Sequence, residues 1–137
     1  MSQLKKNLPE WCLRFGIAGT YLYSGYDLVM HPTAWHWAIR NLPQFMQGLV
    51  NQIGINTYLQ AQGIIELLFA IILLAWFLPS SVVRIVSAII ALEMSAILFL
   101  GGLNSQTFRD MGLLGAALAL FFLLSEKHNG LNIISAE

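Results

Sequence analysis

Charge and cysteine are both scarce in this chain, and each shortage excludes a class of function. Only 10% of the 137 residues are Asp, Glu, Lys or Arg, and the formal net charge at pH 7 is zero. Because the chain has no excess of positive charge to neutralise a row of phosphates, the sequence predicts no nucleic-acid partner. A single cysteine, Cys12, excludes an internal disulfide and a paired-cysteine redox motif.

Apolar residues take the place of the missing charge. They make up 57% of the chain, and the mean hydropathy is +0.66. A typical soluble domain is about 45–50% apolar and about 25% charged. The composition therefore indicates a membrane protein whose first partner is the lipid bilayer, and the length suits a single domain over residues 1–137.

Four stretches approach the roughly 20 mostly apolar residues that a membrane-spanning helix needs. They cover residues 11–30, 57–78, 82–103 and 109–125. Arg14 and Asp27 within the first stretch favour a retained helix over a cleaved signal peptide. A tight turn at Pro79 separates the second and third stretches. The predicted fold class is an all-α membrane protein, an antiparallel four-helix transmembrane bundle.

The segment at about 33–54, between the first two predicted helices, is too long for a simple turn. Phe45, Leu49 and Ile53 recur in it at helical spacing, and amide side chains occupy the other faces. This pattern predicts an amphipathic helix at the outer membrane interface.

The positions of lysine and arginine near the helix ends predict the orientation. With the N-terminus inside, the cytoplasmic side holds Lys5, Lys6, Arg84 and Lys127, and the outer side holds Arg40 and Arg109. The excess of positive charge inside predicts a multi-pass protein with its N-terminus and C-terminus both cytoplasmic.

Two acids fall near the middle of predicted membrane helices. Glu66 lies at the centre of the second helix with Gln62 one turn away on the same face, and Glu93 lies at the centre of the third. A charged acid there costs about 2.5–3.5 kcal/mol even on insertion scales. We therefore expect Glu66 and Glu93 to face one interior cavity and to be partly protonated at neutral pH. The alternative is that each acid only ties two helices together through a hydrogen bond.

Other charged residues complete the set of candidate ligand-binding residues. The full set is Glu66, Gln62, Glu93, Asp27, Arg109, Asp110 and Arg14. Arg14 has a plainer interpretation as a topology signal, and Arg109 with Asp110 as a local ion pair that starts the fourth helix. His31 and His36 lie near Asp27 but lack the spacing of a metal site, so no metal is predicted.

Small residues recur along the first and fourth predicted helices, where they allow helices to approach closely. They are Gly16, Gly19, Ser24 and Gly25 in the first, and Gly112, Gly115, Ala116 and Ala119 in the fourth. The sequence leaves open whether these residues pack within one bundle or between copies of a homo-oligomer.

Over roughly residues 11–124 the chain resembles the DoxX-like family of small bacterial and archaeal membrane proteins. The resemblance rests on Arg14 with Gly19 and Gly25, on the stretch GIIE ending at Glu66, and on RDMGLLGAALAL over 109–120. It implies a four-helix fold in the prokaryotic cell (inner) membrane. It also implies a link to quinone chemistry, because the family name comes from a subunit of a thiosulfate:quinone oxidoreductase. Relatives often have a lysine where this chain has Tyr26-Asp27.

Three functions from different classes fit these features. The first is a quinone-interacting or accessory subunit of a membrane redox system with a midplane acidic site, whose partner subunit supplies the electrons. The second is a binding protein for a small lipophilic molecule, with the outer segment as its lid. The third is a structural or assembly module without its own chemistry. A quinone is the candidate cofactor, no catalytic residue is assigned, and enzymatic activity is left open.

Overall fold

The computed structural model describes residues 3–102 and 107–134, and the side chains of 7–102 and 107–127. Within these ranges all regular structure is helical, which confirms the predicted all-α class. The α-helices are α1 (Gln3–Met30), α2 (His36–Arg40), α3 (Gln44–Ile53), α4 (Ile55–Leu74), α5 (Ser80–Gly101) and α6 (Asp110–Ile134). Short 3-10 helices cover Pro32–Trp35 and Thr107–Arg109.

Three helices are long and apolar enough to cross a membrane. They are Ile55–Leu74, Ser80–Gly101 and Thr107–Lys127. At most 33% of the apolar window of each is buried, which leaves a wide apolar surface for lipid. The first helix, α1, is not one of the three, and it carries Glu10, Arg14 and Asp27 along its length. The structure thus supports a membrane protein with three candidate spans.

The helix boundaries differ from the expected ones in two informative places. The first helix begins at Gln3 rather than near residue 11. The second expected helix, 57–78, ends at Leu74, because Ala75 is extended with a ψ of 106°. The chain then turns through Pro79, which precedes the first turn of α5, where proline's fixed φ and missing N–H are tolerated.

The most extensive helix pairings join α1 to α4 and α5 to α6. Where α1 crosses α4, the two backbones lie so close that neither glycine at the crossing could carry a Cβ atom. A Cβ atom at Gly63 would lie 2.7 Å from the Gly25 carbonyl oxygen, and one at Gly25 would lie 2.8 Å from the Gly63 carbonyl oxygen. Two backbones can approach this closely only where both residues lack a Cβ atom.

The other helical glycines predicted to pack are open on this chain. A Cβ atom added at any of them would have no neighbour within 4 Å; they are Gly16, Gly19, Gly112 and Gly115. Gly16 and Gly112 line an open groove of about 320 Å³ between α1 and α6.

The predicted amphipathic segment at about 33–54 is the 3-10 turn Pro32–Trp35 followed by α2 and α3, here called the outer flap. Its inner side buries Ile39 and Val50 against Leu28 of α1 and Leu59 of α4. Its outer side exposes apolar side chains of α3, namely Phe45, Leu49 and Ile53. The outer flap therefore covers the ends of α1 and α4 with one apolar face and turns a second one outward.

The outer flap is fastened to α1 through Asp27. Its carboxylate accepts a hydrogen bond of 2.8 Å from the Trp35 indole and lies 3.0 Å from the His31 ring. We expect Trp35→Phe to speed amide hydrogen exchange over 32–53 several-fold, because the ring still packs but the indole donor is lost. Exchange in α5 should not change.

Trp76→Phe is the matched control, since Trp76 is highly exposed and lies between α4 and α5. Equal exchange over 32–53 in the two variants would show that the Asp27 contact does not hold the outer flap.

Candidate functional site

Polar side chains from three helices meet beneath the outer flap. Tyr21 and Ser24 come from α1, Gln62 and Glu66 from α4, and Glu93 from α5. Residues three or four apart lie on one helix face, so each pair points the same way. The close crossing of α1 and α4 at their glycines brings Ser24 within reach of Glu66. We call these five residues the polar cluster.

Hydrogen bonds join the five members in two groups, one around each acid. The Tyr21 hydroxyl donates to Oε2 of Glu93 at 2.8 Å, and the Gln62 amide donates to Oε1 of the same carboxylate. The Ser24 hydroxyl donates to Oε2 of Glu66. The Gln62 amide also lies beside Glu66, although its hydrogen bond goes to Glu93. Gln62 thus stands between the two acids.

The polar cluster contains two carboxyl groups and no lysine, arginine or histidine. Glu66 is 8% exposed and Tyr21 2%, whereas Gln62 and Glu93 are half-buried. Asp110, the first residue of α6, is close enough for its charge to act on both glutamates. Over 7–102 and 107–127, no lysine, arginine or histidine forms a salt bridge with Glu66 or Glu93.

The packing around the polar cluster is uneven. Although α4 and α5 follow each other in the chain, they make far fewer contacts than α1 with α4 or α5 with α6. Gln62 and Glu93 come from the two sides of this loosely packed seam. The polar cluster therefore lies at the less extensively paired of the contacts between neighbouring long helices, bridged there by the hydrogen bond from Gln62 to Glu93.

A second polar group, the inner clasp, lies two helical turns away on α1. Arg14 is 4% exposed, donates to Glu10 at 2.5 Å and lies over the Trp11 ring with its guanidinium carbon 4.9 Å from the ring centroid. A longer contact of 3.4 Å reaches the carbonyl oxygen of Leu73 in α4. Lys127 of α6 donates to the other Glu10 oxygen at 2.7 Å. The inner clasp ties three helices together.

The structure places the candidate residues that the sequence predicted in different parts of the fold. Glu66, Gln62 and Glu93 meet in the polar cluster, with Asp110 nearby. Asp27 instead fastens the outer flap, Arg14 belongs to the inner clasp, and Arg109 is exposed and lines the groove beside Gly16 and Gly112. Arg109 and Asp110 are not within salt-bridge distance of each other, although the arginine charge acts on the acid.

Two members of the polar cluster were missed by the sequence reasoning. Tyr21 was not among the candidate residues, and Ser24 was assigned only to helix packing. The spacing of Tyr21 from Gly25 is the signal that would have found it, because residues four apart lie on one helix face.

Comparisons with family models, with curated proteins and with solved structures give no match to this chain. Over the described ranges, no three His, Cys, Asp or Glu side chains are grouped so that they could hold a metal ion. What the polar cluster offers chemically is a pair of carboxyl groups with hydroxyl and amide donors beside them. Such groups bind oxygen atoms of a ligand and exchange protons with them.

Proposed function

We propose that α1, α4, α5 and α6 all span the membrane, with both termini cytoplasmic. At 1.5 Å per residue, the 28 residues of α1 extend about 42 Å, more than the roughly 30 Å of a bilayer core. Its buried charges are paired within the protein, since Arg14 meets Glu10 and Glu10 meets Lys127. Paired interior charges are the usual way in which a membrane helix accommodates them.

On this arrangement, the polar cluster binds the polar end of a small lipophilic molecule, and a quinone is the class we propose. The observation that supports binding is the position of two acids, each hydrogen-bonded by side chains of another helix, where α4 and α5 pair less extensively than their neighbours. A carboxyl group there can hydrogen-bond a quinone oxygen and exchange a proton with it. The quinone assignment itself rests on the resemblance to the DoxX-like family, which also suggests an accessory role in a membrane redox system whose partner subunit supplies electrons.

Mass spectrometry of the protein purified in mild detergent tests this proposal. We expect the wild type to carry near-stoichiometric quinone and Glu66→Leu to lose up to about tenfold in occupancy, because a neutral hydrogen bond contributes about 0.5–1.5 kcal/mol. Glu126→Leu is the control, since Glu126 is an exposed acid on α6, outside the polar cluster. An empty wild type, or equal occupancy in Glu66→Leu, would refute quinone binding at this site.

A structural role is the second candidate, and one observation favours it. Each acid of the polar cluster accepts a hydrogen bond from another helix, as in the contact of Tyr21 with Glu93. Thermal unfolding separates the two functions. A binding site predicts that added quinone raises the unfolding temperature of the wild type but not of Glu66→Leu. A purely structural role predicts no effect of quinone and a lower unfolding temperature in the variant.

A further inference from the structure

The two acids of the polar cluster differ in the hydrogen bonds that their carboxyl oxygens accept. Both oxygens of Glu93 accept hydrogen bonds, one from Tyr21 and one from Gln62. Glu66 accepts one hydrogen bond of good geometry, from Ser24 on Oε2. The Gln62 amide stands close enough to act on Glu66 as a second donor, although its hydrogen bond of good geometry goes to Glu93.

The second oxygen of Glu66, Oε1, is not fully shielded by the protein. Among the described side chains, the one fully shielded nitrogen or oxygen atom without a hydrogen-bond partner is Nε of Arg14. Oε1 of Glu66 is therefore not sealed inside the protein, although the residue as a whole is buried. A ligand bonded to this oxygen would leave in place the bond from Ser24 to Oε2 and both bonds to Glu93.

We propose that Glu66 makes the direct contact with the ligand and that Glu93 is a positioning residue. This inference rests on the proposed quinone site. A ligand oxygen that approached Glu93 would have to displace Tyr21 or Gln62. Displacing Tyr21 would leave a phenol that is 2% exposed without its acceptor, which costs tenfold or more in affinity, roughly. Contact with Glu66 has no such cost.

The role of Glu93 follows from the same bonds. By accepting from Gln62 it holds that amide beside Glu66, and by accepting from Tyr21 it fixes α5 against α1. The ionisable groups that face Glu66 are Tyr21 from α1, Glu93 from α5 and Asp110 from α6. None of them is a cation that could pair with an ionised Glu66, so the ligand contact depends on whether Glu66 itself holds its proton.

The pH dependence of quinone affinity distinguishes the two acids. A quinone carbonyl only accepts hydrogen bonds, so the protonated form of Glu66 binds it. We expect the affinity of the wild type to fall about tenfold or more as pH rises from 5 to 9. Glu66→Gln keeps an N–H donor that cannot ionise, so its affinity should stay constant over this range. Glu93→Gln should keep the pH dependence of the wild type.

The experiment uses the full chain in lipid nanodiscs, a short-chain ubiquinone analogue as probe, and quenching of tryptophan fluorescence as readout. Tyr21→Phe is a second positioning variant in case Glu93→Gln does not fold, and it should also keep the pH dependence. Glu126→Gln controls for the loss of an acid elsewhere.

The outcomes separate the inference from the proposed function. The inference is supported if quinone affinity still falls with rising pH in Glu93→Gln or Tyr21→Phe and does not change with pH in Glu66→Gln. A wild type that binds with no pH dependence, or a pH dependence that survives in Glu66→Gln, would overturn it while leaving the quinone site in place. A wild type that binds no quinone at any pH would remove the proposed function itself.

Discussion

The Gly63→Ala substitution is expected to destabilise the fold, even though alanine is the better helix former. Alanine in place of glycine stabilises a helix interior by about 1 kcal/mol. At this position the added Cβ would meet the Gly25 carbonyl oxygen at 2.7 Å and Cβ of Leu28 at 2.8 Å. Because one of these atoms is backbone, the helices must separate, and overpacking of this kind costs about 1–3 kcal/mol.

Gly115→Ala on α6 is the matched control. It makes the same chemical change where an added Cβ would have no neighbour within 4 Å. Only the helix-propensity gain remains there, so Gly115→Ala should raise the unfolding temperature slightly while Gly63→Ala lowers it. Tryptophan fluorescence during heating in one detergent measures both. If both variants shifted the unfolding temperature in the same direction, the crossing at Gly25 and Gly63 would not be as close as described.

The Arg14→Met substitution is expected to cost more stability than any other single change in the inner clasp. It leaves the Glu10 carboxylate, which is 5% exposed, with Lys127 as its one remaining cationic partner in the described chain. Removing one partner of a buried ion pair typically costs about 3–5 kcal/mol, because the other charge remains buried. Equilibrium unfolding in mixed micelles gives the free energy directly.

Two further variants test the cause of that loss. Replacing both partners, Glu10→Leu with Arg14→Met, should recover most of the stability, since a buried ion pair exchanged for apolar side chains is often neutral. Lys127 is partly exposed and can turn toward water. Arg84→Met removes a positive charge from the same predicted side of the membrane, and Arg84 forms no salt bridge over the described residues. A loss as large for Arg84→Met would indicate a topology effect instead.

The sequence predicts the parts of this protein that depend on local pattern. The all-helical class follows from hydropathy, and the shared face of Gln62 and Glu66 follows from their spacing of four. Tyr21 and Ser24 could not be placed this way, because which face of α1 meets α4 is set by the glycine crossing, a tertiary contact. The end of α4 was missed for a different reason. Trp76 and Phe77 continue the apolar run beyond Leu74, so hydropathy does not register the turn.

The inner clasp also could not be predicted from the sequence, because it depends on a tertiary contact. Glu10 and Lys127 are 117 residues apart in the chain, and no local sequence pattern pairs them. Arg14 suggested a topology signal, because a lone arginine near a helix end is explained by its neighbours in sequence. Only the packing of α6 beside α1 brings these charges together.

The uneven pairing of the helices has a consequence for biogenesis. The two most extensive pairings, α1 with α4 and α5 with α6, each lie within one half of the chain, before and after the turn at Pro79. The first half can therefore assemble while the second is still being synthesised. Until α5 arrives, Tyr21 and Gln62 lack the carboxylate they share, and in the proposed membrane arrangement unsatisfied polar groups are costly. The hydrogen bonds that Glu93 accepts thus favour docking of the second half of the chain and set its register against the first half.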